Sequence, residues 1–412
     1  MPYEEFKYSS SNKSVTRIVH LSNGRKISTR LQTKNMELED EDAHSAFDYT
    51  YLRRCNPLKQ ASYSSKIFRA VDLFCGCGGL SLGAEEACNA MGKRLLSVAA
   101  VDKNPAFLNV YKENFARASA YEHFVERTID GEIGTRPTKN EVNFLRKIKN
   151  VDVLLAGPPC QGHSNLNNHT RHEDERNVLY ERVARFVEIA KPKHVLIENV
   201  PEVTQGKDRT MQRSINAMRE LEYEVDSDII DLAALGVPQR RKRHLVIASV
   251  SKKFSIQEIL EKYSVERERS VKWAIEDLEN EPPNGIFAAP SNLSETNLER
   301  IRFLHENDAY DLPDWLRPLC HRNGNTYPSM YGRIRYDEPS QTITGGFLSP
   351  GQGRFVHPTQ LRTLTPHEAA RLQFFPDFFD FSSVKTKASL SAMIGNAVPM
   401  KMSYIFCLEL LA

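Results

Sequence analysis

The sequence lacks long hydrophobic runs and paired cysteine spacings. No apolar run approaches the roughly 20 residues that a membrane-spanning helix needs. The opening stretch MPYEEFKYSSSNKS has no apolar core of the signal-peptide type. Seven cysteines in 412 residues, an odd number without paired spacing, do not form a disulfide framework. We therefore expect an intracellular, cytoplasmic protein without membrane contact.

Metal-binding spacings and a strong charge excess are also missing. Cys75 and Cys77 form a C-x-C pair, but no matching second pair follows, so a zinc site is a weak interpretation and we expect no metal. The formal net charge of +2 neither demands nor excludes a nucleic-acid partner. The length allows two domains, or one large domain with a smaller insertion.

From Lys66 onward, apolar runs of strand length alternate with helical patterns. This alternation is typical of a mostly parallel sheet with helices on both faces, so the predicted fold class is α/β. The predicted strands are 67–74, 95–102, 151–156, 194–199 and 244–249. Later helices are predicted at 255–263, at 296–307 and after Thr365-Pro366.

The first 66 residues are polar and differ from the rest of the chain. VTRIVHL and RKISTRL alternate apolar and polar residues on either side of Asn23-Gly24, which predicts a β-hairpin. We expect a small, partly ordered extension, whose role its residues do not reveal.

A glycine-rich turn, Cys75-Gly76-Cys77-Gly78-Gly79, follows the first strand of the α/β region. Such a turn lets a ligand approach the backbone at a helix N-terminus. Asp102 ends the next strand, at roughly the 20-residue distance expected for an acid that binds ribose hydroxyls. The spacing is G-x-G-G, not G-x-G-x-x-G, so an adenosyl ligand without phosphates fits better than NAD. A turn that serves only strand–helix packing is the alternative.

The stretch AGPPCQGHS places Cys160 directly after another apolar strand. Open α/β sheets bind ligands at the carboxyl ends of their strands, and a thiolate there is a strong nucleophile. Free cysteine is also among the most buried residue types, so a packed core cysteine is the alternative. The prolines before Cys160 and the polar residues after it favour a reactive position.

Six motifs occur in the order found in one enzyme family, and the chain resembles the cytosine-5 DNA methyltransferases. The motifs are DLFCGCGG, GPPCQGHS, DERNVLY, ENVPEV, GVPQRRKR and GNAVP. The resemblance covers roughly residues 67–250 and 336–405. It implies a Rossmann-like fold, S-adenosyl-L-methionine as cofactor, and transfer to carbon 5 of cytosine in double-stranded DNA. The chain would belong to a restriction-modification system or stand alone.

The resemblance assigns four catalytic residues. Cys160 adds to carbon 6 of the cytosine, and Glu198 contacts the base edge, where an acid lowers the barrier. Arg241 is assigned to the flipped base and the active-site loop, and Arg243 to a more structural role. Because a base inside a duplex cannot be reached, it must swing out of the stack, and residues 161–178 are expected to close over it. The alternative for Glu198 is a structural acid that accepts hydrogen bonds from backbone amides. The alternative for the arginines is a run of charged residues that faces solvent.

The expected cofactor-binding residues come from the glycine-rich turn and from the family motifs. They are Phe74, Cys75, Gly76, Gly78, Gly79, Asp102, Asp130, Pro159, Leu179, Asn396 and Val398. Within this set, Asp130 is the candidate for the acid that contacts the adenine, and Asn396 and Val398 close the site from the C-terminal side.

The resemblance also suggests how the chain is divided. We predict an extension over 1–66, a catalytic domain over 67–280, a small target-recognition domain over 281–385, and a returning segment over 386–412. Candidate residues for reading DNA are Arg317, His321, Arg322, Asn323, Asn325, Arg333 and Arg335. We expect a monomer, associated with the nucleoid if prokaryotic, with a cognate restriction endonuclease as a possible partner.

Three rival functions can be weighed from the sequence. A tRNA cytosine methylase would carry a Cys-Phe-Thr signature in the later region, which is absent here. A non-enzymatic module would have lost catalytic residues, whereas Cys160, Glu198 and Arg241 are all present. An amino-group methylase would carry Asn/Asp-Pro-Pro-aromatic where this chain has Gly157-Pro158-Pro159-Cys160.

Overall fold

The computed structural model describes most of the chain. The described residues are 2–33, 42–58, 66–115, 118–122, 125–159, 179–205, 209–322 and 329–412. Cys160 and the expected closing segment 161–178 lie outside them, as do Asn323 and Asn325. No helix among the described residues is long and apolar enough to cross a membrane.

A seven-stranded sheet forms the centre of the protein. Its strands are β4 (Ile67–Leu73), β5 (Arg94–Asp102), β6 (Ala120–Glu122), β7 (Val153–Ala156), β8 (His194–Asn199), β9 (Glu224–Asp231) and β11 (Lys242–Ser249). The strand order is β6-β5-β4-β7-β8-β11-β9. Neighbouring strands from β6 to β8 are parallel, and β11 runs antiparallel to both of its neighbours. All five predicted strands of the α/β region are present.

Helices cover both faces of this sheet. The helices of the described residues, of which only some pack on this sheet, are α1 (Ala43–Leu52), α2 (Gly79–Ala90), α3 (Pro105–Asn114), α4 (Val125–Thr128), α5 (Lys139–Ile148), α6 (Leu179–Ala190), α7 (Thr210–Glu220), α8 (Ile256–Tyr263), α9 (Val271–Ile275), α10 (Gly285–Ala288), α11 (Glu295–Glu306), α12 (Pro366–Leu372), α13 (Lys387–Asn396) and α14 (Met400–Leu410). Along β7, Val153 and Leu155 pack into one hydrophobic core, and Leu154 and Ala156 into another. Because strand side chains alternate between faces, this division confirms the predicted α/β fold covered on both sides.

The N-terminal residues form an antiparallel sheet of three strands, β1 (Tyr3–Ser9), β2 (Ser14–His20) and β3 (Lys26–Gln32). The turn between β2 and β3 contains Gly24 at φ +81°, a left-handed conformation that glycine adopts without strain. The predicted hairpin is therefore confirmed, and β1 extends it. Helix α1 packs against this small sheet, with Phe47 and Leu52 buried beside Val15 and Leu31.

A third, smaller hydrophobic core lies within the predicted recognition region. Ile301, Leu304, Leu312 and Val356 are buried together there. Helix α12 instead packs in the main core, and Thr365 and Glu368 form the capping box that starts it. Two short strands, β10 (Gln239–Arg240) and β12 (Ser340–Gln341), pair in parallel and join the two ends of the intervening segment.

Candidate functional site

The loops that follow β7 and β8 meet at the carboxyl edge of the sheet. Because these strands are parallel neighbours, Gly157 and Glu198 are brought together. A Cβ built on Gly157 would lie 3.9 Å from Glu198 Oε2 and 4.0 Å from the Phe74 carbonyl oxygen. The Asn199 side-chain amide donates to the Pro158 carbonyl oxygen at 3.3 Å. Three of the motifs therefore converge immediately before Cys160.

Glu198 has a cationic partner on the antiparallel strand β11. Arg243 Nε lies 2.6 Å from Glu198 Oε1, and the two side chains are only 11% and 10% exposed. Opposite charges at this distance attract strongly where little water separates them. The pairing leaves Glu198 Oε2 on the side of Gly157, toward the loop that leads to Cys160.

Arg241 is buried among backbone carbonyl groups. Its guanidinium donates to Ile343 at 2.9 Å and to Ala397 at 3.1 Å, with a longer contact to Gly395 at 3.4 Å. Burial, together with the nearby Arg243, lowers the pKa of Arg241. Arg243 therefore reaches Glu198, and Arg241 holds the surrounding backbone. The roles expected of the two arginines toward the base and the active-site loop stay predictions.

Gln239 also joins this buried network, which the sequence did not reveal. Its side chain accepts from the Ile343 amide at 2.8 Å and donates to Gln373 Oε1 at 2.9 Å. Gln373 in turn donates to the Ile394 carbonyl oxygen at 2.6 Å. The only sequence signal for Gln239 was its place in the GVPQRRKR motif, and no sequence signal marked Gln373.

The glycine-rich turn leaves room for a ligand next to Asp102. Gly76 has φ +55°, and a Cβ built on it would meet nothing within 4 Å. Its amide donates to Asp102 Oδ2 at 3.0 Å, and the Asn104 amide donates to Oδ1 at 2.8 Å. Burial raises the pKa of Asp102, although these amides oppose the shift. Phe74 also has a left-handed conformation, at φ +60°.

The GNAVP segment closes against this turn. A Cβ on Gly79 would lie 2.3 Å from the Val398 carbonyl oxygen, so only glycine allows the two backbones to approach so closely. Gly78 is similarly enclosed by the Phe115 ring, 2.4 Å from its built Cβ. Asn396 is exposed at the end of α13. The structure therefore brings Val398 against Gly79, and closure of a cofactor site by Asn396 and Val398 stays a prediction.

Comparison with known proteins decides the family to which this site belongs. The family model of C-5 cytosine-specific DNA methylases matches residues 68–410. The chain belongs to this family. It is a DNA cytosine-5-methyltransferase, which makes methylation of cytosine in DNA its class of reaction.

Individual relatives agree with this family. The chain is 43% identical over 374 residues to the Type II methyltransferase M1.BsuMI of Bacillus subtilis, covering 90% of this chain and 87% of the relative. It is 30% identical over 347 residues to the Type II methylase M.HgiDII of Herpetosiphon aurantiacus, covering 81% and 92%.

Solved structures show the same fold. A DNA modification methyltransferase encoded within an E. coli prophage matches with a TM-score of 0.58 and 24% identity, over 84% of this chain and 98% of that one. The S. pombe Dnmt2 methyltransferase matches with a TM-score of 0.55 and 18% identity, over 83% and 98%.

In this methyltransferase, the two cysteines of the glycine-rich turn are buried thiols. Burial raises the pKa of Cys75 well above its ordinary value and that of Cys77 to about 12. Neither is a nucleophile near neutral pH, because the reactive form is the thiolate. Among the described residues, no group of three or more His, Cys, Asp or Glu side chains could hold a metal ion.

Asp130 lies in the segment between α4 and α5, and Leu179 is the first residue of α6. Asp130 is exposed, and its carboxylate accepts from Thr138 and from Asn140, the latter at 2.7 Å. Burial alone would raise its pKa, but these hydrogen bonds lower it. Leu179 is buried at the beginning of α6, and Pro159 is the last described residue before Cys160. Their roles toward a cofactor stay predictions.

A buried acid under the glycine-rich turn was not predicted to have a role. Asp72, in β4, accepts from Ser81 Oγ at 2.7 Å, and burial raises its pKa to about 7. Ser81 continues to the Tyr111 hydroxyl at 2.7 Å, and Tyr111 to Ser97 at 2.8 Å. This chain of hydrogen bonds links the floor of the turn to α3 and β5.

Proposed function

We propose that the protein transfers a methyl group from S-adenosyl-L-methionine to carbon 5 of a flipped-out cytosine in double-stranded DNA, through a covalent bond between the Cys160 sulfur and carbon 6. The observation that carries this proposal is the ion pair of Glu198 and Arg243 beside Gly157-Pro158, directly before Cys160. The Type II methyltransferases among the relatives favour duplex DNA over tRNA as substrate.

The chemistry requires an activated ring, because carbon 5 of cytosine is a poor nucleophile. The Cys160 thiolate adds to carbon 6, and the displaced electron pair moves toward ring nitrogen 3. A proton held by Glu198 Oε2 at nitrogen 3 stabilises that charge, while Arg243 holds the other carboxyl oxygen. Carbon 5 would then form its bond to the methyl group while the bond between that methyl group and the cofactor sulfur breaks, its electron pair staying on the sulfur. Loss of the carbon 5 proton to a base and expulsion of the thiolate restore the ring.

The described residues fit the cofactor, which when bound supplies an electrophilic methyl group on a positively charged sulfur. The open space at Gly76 admits an adenosyl group, and Asp102 beside it can accept hydrogen bonds from ribose hydroxyls. Val398 closes the far side through its contact with Gly79. Asp130 remains the candidate for the adenine contact.

The recognition region supplies a rigid surface for DNA. Arg322 donates to the carbonyl oxygens of Arg317 at 2.8 Å and Trp315 at 2.9 Å, which fixes the turn that carries them. Trp315 is 66% exposed on the same turn. Arginine and an exposed aromatic ring suit phosphates and bases. A paired restriction endonuclease, a monomeric state and nucleoid association stay predictions.

The test is methyl transfer by Cys160→Ser, with Cys55→Ser at an exposed cysteine as the matched control. Cys160→Ser should transfer no labelled methyl groups to duplex DNA and still bind the cofactor, whereas Cys55→Ser should match the wild type. A duplex containing 5-fluorocytosine should become covalently trapped on the wild type and on Cys55→Ser, but not on Cys160→Ser. Transfer to tRNA alone, or normal transfer by Cys160→Ser, would overturn the proposal. Bisulfite sequencing of DNA from expressing cells would then identify the target site.

A further inference from the structure

The N-terminal sheet and α1 lie outside the 68–410 span that the family model matches. Their buried polar contacts nevertheless reach two helices of the catalytic domain, α2 and α14. These helices begin at Gly79 and Met400, directly after the glycine-rich turn and the GNAVP segment. The extension is therefore attached to both elements that border the expected cofactor site.

Arg17 of β2 joins the two helices to each other. Its guanidinium donates to Glu86 Oε1 of α2 at 2.8 Å and to the Tyr404 hydroxyl of α14 at 3.1 Å. The Arg17 and Glu86 side chains are 3% and 7% exposed. The guanidinium also lies over the rings of Phe47 and Tyr404, at 4.8 and 5.3 Å, and Glu4 accepts from the Tyr404 hydroxyl.

A second buried ion pair holds the first turn of α14. Lys401 Nζ donates to Asp48 Oδ1 of α1 at 2.8 Å, and both side chains are 5% exposed. His44 of α1 lies 3.3 Å from the other Asp48 oxygen. Lys401 is three residues beyond Val398, so this contact fixes the chain just after the GNAVP turn.

Helices α2 and α14 are closely packed at Gly83, where their backbones are in contact. A Cβ on Gly83 would lie 2.0 Å from Ser403 Oγ and 2.2 Å from the Met400 carbonyl oxygen. Close-packed contacts of this kind transmit displacement, because no void absorbs it. A small separation of α2 from α14 would therefore move Val398 away from Gly79.

We infer that the N-terminal extension is a clamp that sets cofactor affinity, with Arg17 and Asp48 as positioning residues that hold α2 and α14 together. This inference rests on the proposed function, since it takes the pocket between Gly76 and Val398 as the cofactor site. The extension touches none of the proposed reacting groups, so it acts on binding and not on the chemical step.

The experiment measures S-adenosyl-L-methionine binding by calorimetry without DNA, and separately the KM and kcat of methyl transfer. Arg17→Met should weaken cofactor binding about tenfold, equivalent to about 1.4 kcal/mol. The KM for the cofactor should rise with it, while kcat at saturating cofactor changes less than about twofold. Arg17→Lys should recover part of the affinity, because lysine keeps the charge but not the forked geometry.

Arg362→Met is the matched control for lost stability. Arg362 forms an ion pair with buried Glu368, at 2.7 Å, outside α2 and α14. The Arg362→Met variant should have a lower Tm than the wild type and an unchanged affinity for the cofactor. If Arg17→Met does not fold, Tyr404→Phe removes only a hydroxyl and should weaken binding about threefold, roughly 0.65 kcal/mol.

Two failures are distinguishable. Wild-type affinity in a folded Arg17→Met or Tyr404→Phe variant would overturn the clamp and leave the proposed function intact. Loss of affinity in Arg362→Met equal to that in Arg17→Met would also overturn the clamp, because general destabilisation would then explain both. Absence of cofactor binding by the wild type would overturn the proposed function, and the clamp with it.

Discussion

Arg241 and Arg243 are two residues apart, yet their contacts predict opposite phenotypes. Arg241→Met removes the guanidinium donor from the Ile343 carbonyl oxygen, whereas the Ala397 carbonyl oxygen keeps Gln373 as a donor. Hydrogen bonds from charged groups contribute about 1.5–3 kcal/mol, and an orphaned buried carbonyl costs about 1–3 kcal/mol. We therefore expect Arg241→Met to lower the free energy of unfolding by about 3 kcal/mol, a large part of the usual 5–15 kcal/mol.

Arg243→Met should act on the reaction instead. It removes the partner of Glu198 Oε1, and loss of one electrostatic donor at a reacting centre typically costs about 100- to 1,000-fold in kcat. Its effect on stability should be smaller than that of Arg241→Met, because Arg243 contacts one carboxylate, whereas Arg241 donates to three backbone carbonyl groups.

Thermal and urea unfolding report the first effect, and transfer of tritiated methyl groups to duplex DNA reports the second. Lys242→Met is the control, since Lys242 lies between the two arginines and is exposed. It should change neither measurement. If Arg243→Met is folded and transfers methyl groups normally, while Arg241→Met is stable and inactive, the roles inferred from these contacts are wrong.

Two further predictions concern the glycine contact and a buried acid. Gly79→Ala should cost about 1–3 kcal/mol of stability from overpacking and weaken cofactor binding measured by calorimetry, because its Cβ would lie 2.3 Å from the Val398 carbonyl oxygen; unchanged binding would contradict that contact. Burial alone would raise the pKa of Glu368, but Arg362 and His357 lower it to about 2. Since the unfolded value is near 4.3, its contribution is present above that pH and lost as the pH falls toward about 2. Glu368→Gln should therefore flatten the dependence of unfolding free energy on pH in this window, and an unchanged slope would refute the assignment.

Apolar patterning predicted the strands of the central sheet that are buried on both faces. It did not predict β6 and β9, the two edge strands of that sheet. Strands such as β7 are nearly continuous runs of apolar residues, so their positions could be read directly. Edge strand β9, EVDSDIID, carries acidic residues along an exposed edge, and β6 has only three residues. Neither has the length or the apolar content that marks a central strand.

Motif positions predicted which residues gather at the carboxyl edge, but not how their side chains pair. Which arginine reaches Glu198 depends on the register of β11 against β8, where Leu245 lies opposite Glu198. Register follows from packing of the whole sheet, which a single sequence does not display. The contacts of Arg17 with Glu86 and Tyr404 likewise join residues 69 and 387 positions apart, and no local pattern marks such pairs.

The reversed direction of β11 has a consequence for the rigidity of the site. Strand β11 runs antiparallel to β8 and β9, so its first residues lie at the edge of the sheet where the parallel strands end. Arg243 is therefore part of a strand and not of a loop. Strand β11 is paired with β8 on one side and with β9 on the other, which leaves it no free edge. Amide hydrogens in such a doubly paired strand exchange only through large openings of the sheet. The spacing between the acid and its arginine should therefore be set before any substrate arrives and should persist through each turnover.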